Sequence, residues 1–349
     1  MMGPDASSGL GRAAARRPAM ADVAALAGVS PQTVSRVSMG ASNVRPETRS
    51  RVQAAMDELG YLPNRAAQAL RYGHFGTIGL VARVFTRTGV SHTIEAVVDA
   101  ARAEGYGVSL FDVDEPTGEG FDATVGRLTH QAVDGLIILR AETSAPESLS
   151  LPSRLPVVVA DSRFVGVHAA VGCDDVGGTR AAVQHLLDLG HRTVSHIRGP
   201  ADSVQAGQRE RTWADTLRAA GRTVPDVMPG DWTPASGYEQ GRRLAADPAV
   251  TAVFCANDEM AAGCYRALWE AGRRVPHDVS VVGFDDVLGD FLLPPLTTVT
   301  QDFVTIGHEL VRLLLRQIRQ GKPDTVSRIL VPTELVVRGS TAPPPAGVS

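Results

Sequence analysis

Residues 21–37 read ADVAALAGVSPQTVSRV, and this stretch decides the fold of the N-terminal part of the chain. Its first half repeats apolar residues at helical spacing, which predicts a short amphipathic helix. Gly28 follows, where a tight turn needs a positive φ. Ser30 is a typical N-cap and Pro31 a typical first residue of a helix, so a second helix is predicted over residues 31–37. Two short helices joined by a glycine turn are typical of a helix-turn-helix.

The second predicted helix carries polar side chains away from the face formed by Val34 and Val37. Side chains of this kind bond base edges or phosphate groups. A third helix is predicted to begin at Pro46 and to end before Gly60. Three short helices around one small core predict a DNA-reading head. Its candidate polar contacts are Gln32, Thr33, Ser35 and Arg36.

The net charge of −4 averages two opposite parts of the 349-residue chain. Residues 1–75 contain nine arginines and five acidic residues, a net of +4, and the remainder therefore carries −8. A basic head on an acidic body indicates that the head meets an anion such as DNA phosphate. A solvated basic surface without a partner would give the same counts and stays an alternative.

Length and composition exclude several classes of protein. At roughly 150 residues per domain the chain holds two or three folding units, and its 44% of hydrophobic residues excludes wholesale disorder. No run approaches the roughly 18 apolar residues needed to cross a bilayer, and no apolar segment follows the basic N-terminus as in a secretory signal. Cys173, Cys255 and Cys264 lack CxxC spacing. The cysteine spacing and the missing signal segment together predict a protein of the reducing cytoplasm.

From Thr77 onward, short apolar runs alternate with helical patterns. This alternation predicts an α/β body with doubly wound parallel sheets. Some 260 residues exceed one such unit, so two subdomains with a cleft between them are expected. The predicted strands are residues 78–82, 108–111, 135–139, 157–160, 194–197, 252–256 and 279–283, and the predicted helices include 93–104, 178–189, 209–220 and 259–270.

Motifs of enzymes are missing from the sequence. No GxGxxG follows a strand, and neither a Walker A nor a GxSxG motif occurs. The spacing of His185, His191 and His196 is not that of a metal site. The sequence therefore predicts no enzyme, no cofactor and no metal.

Polar residues follow three of the predicted strands, namely Asp161, Asn257 and Asp285. Ligands of open α/β sheets bind at the carboxyl ends of strands. A saccharide offers hydroxyl groups to carboxylates, amides and guanidinium groups, and C–H faces to aromatic rings. Arg209 and Trp232 add the guanidinium and the aromatic ring. The pattern is typical of carbohydrate binding.

The stretches ADVAALAGVSPQTVSRV at 21–37 and RPETRSRVQAAMDELGYLPNRAAQAL at 45–70 resemble the head and hinge of the LacI/GalR (lactose-repressor) family, and the resemblance continues to about residue 338. It implies a three-helix helix-turn-helix head and a periplasmic-binding-protein-like body of two doubly wound α/β subdomains. In that family the second helix enters the major groove, and a hinge leucine wedges into the minor groove. By matched position, Pro31, Gln32 and Arg36 are the implied base readers and Leu70 is the implied wedge. The other predicted DNA contacts are Ser30, Thr33, Ser35, Asn64, Arg65 and Ala67.

The body resembles the family in HLLDLGHRTVSHIRGP (185–200), GDWTPASGY (230–238), ANDEMAAG (256–263), VSVVGFDD (279–286) and PPLTTVTQDF (294–303). The implied effector contacts are Asp161, Arg209, Trp232, Asn257, Asp285, Gln301 and Phe303. Arg83 is expected to face the cleft from the first subdomain, together with Ser91 and His92. From the residues alone, core positions stay an alternative for Phe303 and for Trp232, and the cap of an element stays an alternative for Gln301.

The resemblance implies a cytoplasmic transcriptional regulator, a repressor that a sugar releases from a near-palindromic operator. The sugar is expected to be a β-galactoside or a related saccharide. The chain is expected to form a homodimer and not a tetramer, because it lacks the C-terminal leucine heptad of a coiled coil. A sugar-binding receptor or an α/β enzyme acting on a sugar, without a DNA role, stays the alternative.

The predicted domains are a disordered tail at 1–18, the helix-turn-helix at 19–62, a hinge helix and linker at 63–75, an effector-binding and dimerisation domain at 76–338 with subdomain crossings near 170 and 300, and a flexible tail at 339–349.

Overall fold

A computed structural model describes residues 18–38, 41, 43–62, 74–82, 87–112, 133–139, 154–160 and 166–346. The contacts divide the chain into two units, Met1–Phe75 and Gly76–Ser349, here called the head and the body. Several predictions fall outside the described residues, namely the tail at 1–17, the hinge helix at 63–73, and the contacts Asn64, Arg65, Ala67, Leu70, Arg83 and Asp161.

The described part of the head forms three helices, α1 (Met20–Ala27), α2 (Pro31–Ser38) and α3 (Pro46–Leu59). Helix α1 ends at Gly28 with φ 62° and α3 ends at Gly60 with φ 60°, so both predicted glycine stops are confirmed. Ser30 Oγ accepts the backbone N–H of Thr33 at 3.2 Å, as an N-cap does. The three helices share one apolar core made of Val23, Ala24, Ala27, Val34, Val37, Val52, Ala55 and Met56.

The described part of the body alternates strands and helices, as predicted. Its strands are β1 (Thr77–Ala82), β2 (Gly107–Asp112), β3 (Gly135–Leu139), β4 (Val157–Ala160), β5 (Ala169–Cys173), β6 (Ser195–Arg198), β7 (Met228–Pro229), β8 (Ala252–Cys255), β9 (Ser280–Asp285), β10 (Thr297–Thr300), β11 (Arg328–Val331) and β12 (Glu334–Val336). Its helices are α4 (Thr88–Ala103), α5 (Asp175–Asp188), α6 (Val204–Ala219), α7 (Pro234–Ala245), α8 (Asp258–Glu270) and α9 (Phe303–Gln320).

The strands form two six-stranded sheets, each the centre of one lobe. Lobe 1 has the order β11–β5–β4–β3–β1–β2 with parallel pairs throughout. Lobe 2 has the order β12–β10–β9–β8–β6–β7, and only its edge strand β12 runs antiparallel to its neighbour. Strands β3, β4 and β8 are buried along their whole length, which explains their continuous apolar sequences. The two predicted subdomains are confirmed.

Within the described residues of the body, the chain crosses between the lobes three times. The crossings at residues 173–175 and 300–303 correspond to those predicted near 170 and 300. The third crossing, at residues 331–334, joins β11 to β12 and is absent from the prediction. These two strands have four and three residues, mostly exposed or half-buried, so no apolar run marks them in the sequence.

The beginning of the predicted flexible tail is bonded to lobe 2. Ser340 is buried, accepts the backbone N–H of Thr297 at 2.7 Å and donates to the carbonyl oxygen of Val281 at 2.6 Å. The His191 ring bonds the carbonyl of Ala342 at 3.0 Å. Residues 339–342 therefore differ from the prediction, because their backbone and hydroxyl groups satisfy polar groups of lobe 2. Among the helices that the structure describes, none has the length and apolar composition for crossing a membrane.

Helix α3 of the head begins without a side-chain cap. Arg45 occupies the N-cap position and its side chain makes no capping hydrogen bond. Serine at such a position contributes ~1 kcal/mol more than a residue that does not cap. Amide hydrogen exchange in α3 of full-length Arg45→Ser should therefore slow about fivefold. Arg45→Ala is the matched control and should exchange like the wild type; equal rates in all three proteins would contradict the prediction.

Candidate functional site

A buried guanidinium lies where two strand ends of lobe 2 meet the first crossing. Arg209, on α6, is 2% exposed. Its Nε donates to Asp175 Oδ1 at 2.7 Å, and its Nη1 donates to the carbonyl oxygen of Ala256 at 2.5 Å. The same Nη1 lies 3.5 Å from Asp285 Oδ1. The charge of Arg209 is thus paired on two sides, as a buried charge requires.

Aromatic rings complete the surroundings of Arg209. Its guanidinium carbon lies 3.5 Å from the centroid of the Phe284 ring and 5.7 Å from that of Trp232. Burial on its own lowers the pKa of Arg209, but the charges of Asp175 and Asp285 outweigh burial and raise it above its ordinary value. Arg209 therefore stays charged at any pH at which the protein is folded.

Asn257 is held in one orientation by its neighbours. It is the N-cap of α8, and its Oδ1 accepts the backbone N–H of Met260 at 3.0 Å. Its Nδ2 donates to the carbonyl oxygen of Trp232 at 3.1 Å and to Glu259 Oε2 at 2.9 Å. Asn257 thus fixes both the start of α8 and the backbone at Trp232.

Two residues of this cluster have strained backbone conformations. Trp232 has φ 73° and Asp285 has φ 102°, values that only a surrounding structure holds for residues other than glycine. The Trp232 ring packs on Gly199, where an added Cβ would lie 2.4 Å from the ring. Its buried Nε1 has no hydrogen-bond partner in the part of the chain that the structure describes. Such strain and unpaired groups are typical of binding sites.

Four of the predicted effector residues, Arg209, Trp232, Asn257 and Asp285, line one small cavity of about 10 Å³. Gln301 adjoins it, because its Nε2 donates to Asp285 Oδ1. The other residues around this cavity are Arg87, Gly89, Gln205 and Glu259. We call this cavity, with its lining, the Arg209 cavity.

Phe303 and His92 lie beside a wider cleft of about 1070 Å³ that also reaches Asp285 and Gln301. Their rings stack with centroids 5.8 Å apart, and Phe303 is 9% exposed. Phe303 is therefore both a core residue and part of a cleft wall. Ser91 is exposed, and its hydroxyl donates to the carbonyl oxygen of Thr88.

Five residues of this site were missing from the prediction, namely Asp175, Glu259, Arg87, Gly89 and Gln205. Asp175 directly follows the N-cap Asp174, and Glu259 lies two residues after the N-cap Asn257, so both lie in the first turn of a helix. The helix starts, which the sequence shows by their N-cap residues, could have indicated both residues. Arg87 and Gly89 come from the start of α4 in lobe 1, which no strand-end pattern marks.

The buried carboxyl group of Asp258 bonds the loop that follows Asp285. Burial, together with the charge of Asp285 and against the lowering effect of the Thr298 hydroxyl, raises its pKa to about 7. Its Oδ2 accepts the backbone N–H groups of Val287 at 2.8 Å and Leu288 at 3.1 Å. This carboxyl group thereby positions the loop that follows Asp285.

The predicted DNA contacts of the head divide into two groups. Pro31, Gln32 and Arg36 are exposed on α2, and the hydroxyl groups of Ser30 and Thr33 bond each other at 3.0 Å. The prediction for one further residue has to be corrected. Ser35 is 3% exposed and lies among the buried residues of α2, so its side chain does not reach the surface.

The chain matches two known family models. The lacI family of bacterial regulatory proteins matches residues 19–64, and a periplasmic binding protein-like domain matches residues 183–341. The HTH-type transcriptional regulator CelR of Thermobifida fusca is 36% identical over 338 residues, covering 93% of this chain and 98% of that protein. The chain belongs to the lacI family. The predicted family is thus confirmed.

Two solved structures of lacI-family proteins resemble nearly the whole chain. The lac repressor dimer bound to operator and the anti-inducer ONPF has a TM-score of 0.82 at 34% identity, covering 94% of this chain and all of that one. The complex of the transcriptional regulator CelR with cellobiose has a TM-score of 0.69 at 35% identity, covering 93% and 100%. They confirm the predicted helix-turn-helix and two-subdomain fold. As a lacI-family member, this protein is a DNA-binding transcriptional regulator.

The two carboxylates that face Arg209 are expected to contribute unequally to stability. Asp175 has a 3% exposed side chain and pairs with Arg209 at 2.7 Å, so Asp175→Asn should cost ~3 kcal/mol of unfolding free energy. Asp285 is farther away and 11% exposed, and asparagine tolerates its positive φ, so Asp285→Asn should cost less than ~1 kcal/mol. Urea unfolding of both full-length variants measures the difference. Equal losses, or the reverse order, would contradict this assignment.

Proposed function

We propose that the protein is a repressor that binds a near-palindromic operator as a homodimer and is released when a saccharide binds in the cleft of the body. The observation that carries the proposal is the cluster around Arg209. It places a guanidinium, two carboxylates and an amide beside aromatic rings, which is the combination that a saccharide needs. We infer that the protein works in the cytoplasm, because its DNA partner lies in that compartment.

The predicted effector residues take separate roles in this proposal. Asp285 and Arg209 bind hydroxyl groups, and the ring of Trp232 faces the C–H groups of the sugar. Phe303 supplies an apolar wall, and Gln301 orients Asp285. Asp161 and Arg83 are assigned to the opposite wall from their sequence positions. Because the relative CelR has been solved with cellobiose, neutral disaccharides, β-galactosides included, are the first candidates.

Release requires that the saccharide binds more tightly to a body conformation that does not support operator binding. We assign the coupling to the segment 63–75, as a hinge helix that orders on DNA. Asn64, Arg65 and Ala67 would contact the DNA from this helix, and Leu70 would wedge into the minor groove. Purified protein should leave the saccharide chemically unchanged, because the site is assigned to binding; turnover would favour the enzyme alternative.

Arg36 on α2 is expected to read a base. A bidentate base contact is worth about 1–3 kcal/mol, so Arg36→Ala should weaken operator binding about tenfold or more and reduce sequence preference. Arg51 is an exposed arginine of α3, and Arg51→Ala removes the same charge from the same head. Fluorescence anisotropy with operator and scrambled DNA measures both variants. Loss of sequence preference in Arg51→Ala but not in Arg36→Ala would refute the assignment.

The saccharide is expected to bind the folded protein and raise its Tm. A thermal-shift screen of neutral saccharides, sugar phosphates and purines identifies the class, and a hit should lower operator affinity. Asp285→Asn should keep operator affinity but lose the response to the hit, because it removes one of the proposed hydroxyl-binding carboxylates. A screen in which only purines or phosphates raise the Tm would overturn the saccharide assignment.

A further inference from the structure

A side-chain hydrogen bond joins the two lobes at the Arg209 cavity. Thr88 begins α4 in lobe 1, and Glu259 lies in the first turn of α8 in lobe 2. Thr88 Oγ1 donates to Glu259 Oε1, although the two residues are 171 positions apart in the sequence. Both side chains are half-buried. We call this contact the cross-lobe hydrogen bond.

The cross-lobe hydrogen bond continues into the proposed effector site. Glu259 accepts from Thr88 at Oε1 and from Asn257 Nδ2 at Oε2. The same Nδ2 donates to the carbonyl oxygen of Trp232. A chain of three hydrogen bonds therefore runs from lobe 1 to two residues that are assigned to saccharide binding. A change at Thr88 acts on Glu259 and, through it, on the orientation of Asn257.

The size of the Arg209 cavity makes this bond decisive for ligand entry. About 10 Å³ is close to the space of one water molecule, whereas ligand pockets usually enclose ~300–1,000 Å³. Arg87 and Gly89, on either side of Thr88, line the same cavity from lobe 1. A saccharide therefore fits inside the Arg209 cavity only when the lobes separate here, and separation breaks the bond between Thr88 and Glu259.

A carboxylate that loses its hydroxyl donor in a half-buried position needs another donor, since an unsatisfied charged group costs free energy. A saccharide hydroxyl has the same donor chemistry as the hydroxyl of threonine. We propose that Glu259 is a specificity-determining residue for the effector, and that the Thr88 hydroxyl occupies the position at Glu259 that a saccharide hydroxyl takes. This inference rests on the proposed saccharide function.

Two consequences follow for the effector. Thr88 competes with it, so the cross-lobe hydrogen bond lowers saccharide affinity and sets the concentration at which release begins. Glu259 selects a saccharide with a hydroxyl group directed at the start of α8, because the analogue that lacks this hydroxyl leaves Glu259 Oε1 without the donor that replaces Thr88.

Calorimetric titration of the full-length protein with cellobiose and lactose tests the competition. Thr88→Val keeps the shape of the side chain but removes the hydroxyl, and should bind the active saccharide about 5–10-fold more tightly. Thr88→Ser keeps the hydroxyl and should bind like the wild type. Glu259→Gln should bind at least about tenfold more weakly, and Thr88→Val should add nothing to it. Unchanged affinity in Thr88→Val, or an equal gain in the Glu259→Gln background, would overturn the proposal.

Hydrogen exchange without any saccharide separates this inference from the proposed function. Thr88→Val and Glu259→Gln should both speed amide exchange in the first turns of α4 and α8, while Thr88→Ser should not. If the wild type bound no neutral saccharide, the proposed effector class and the role of Glu259 in selecting it would both fail. Faster exchange would then still support the contact between the lobes, whereas unchanged exchange would overturn that too.

Discussion

The buried charge of Arg209 is the constraint on which the rest of the body depends. A guanidinium with 2% exposure must be paired, because an uncompensated buried charge costs several kcal/mol. Its partners are Asp175 at the start of α5, the carbonyl group of Ala256 after β8, and Asp285 at the end of β9. Pairing Arg209 therefore brings the first crossing and two strand ends of lobe 2 to one point. The side chains that follow those strands meet there as a consequence.

The same arrangement gives the site its chemistry. Asp175 pairs with Arg209 in the interior, whereas Asp285 and Trp232 line the Arg209 cavity. Strained backbone at Trp232 and Asp285 is held by Asn257 and by the loop that Asp258 positions. Under the proposed function, Asp175, Asn257 and Asp258 stabilise the site, whereas Asp285 and Trp232 bind the ligand; such a division is typical of proteins in which binding opposes local stability.

Much of the fold could be predicted because its signals are local. Glycine stops, the serine cap and continuous apolar runs mark the head and most strands that lie inside the sheets. Strands β5, β7, β10, β11 and β12 were not predicted, and the third crossing was missed with β11 and β12. Strand-end positions indicated Asn257 and Asp285. The pairing of Thr88 with Glu259 joins distant segments, which no local pattern predicts, and Ser35 is buried although its polar side chain predicts a surface position.

Reciprocal coupling between the saccharide site of the body and the DNA site of the head tests the account most directly. If saccharide and operator favour different conformations, each must weaken the binding of the other by the same factor. Saccharide affinity should be measured by calorimetry with free protein and with protein saturated by operator. The account predicts that operator lowers saccharide affinity by the factor with which saccharide lowers operator affinity. Equal saccharide affinity in the presence and absence of operator would contradict it.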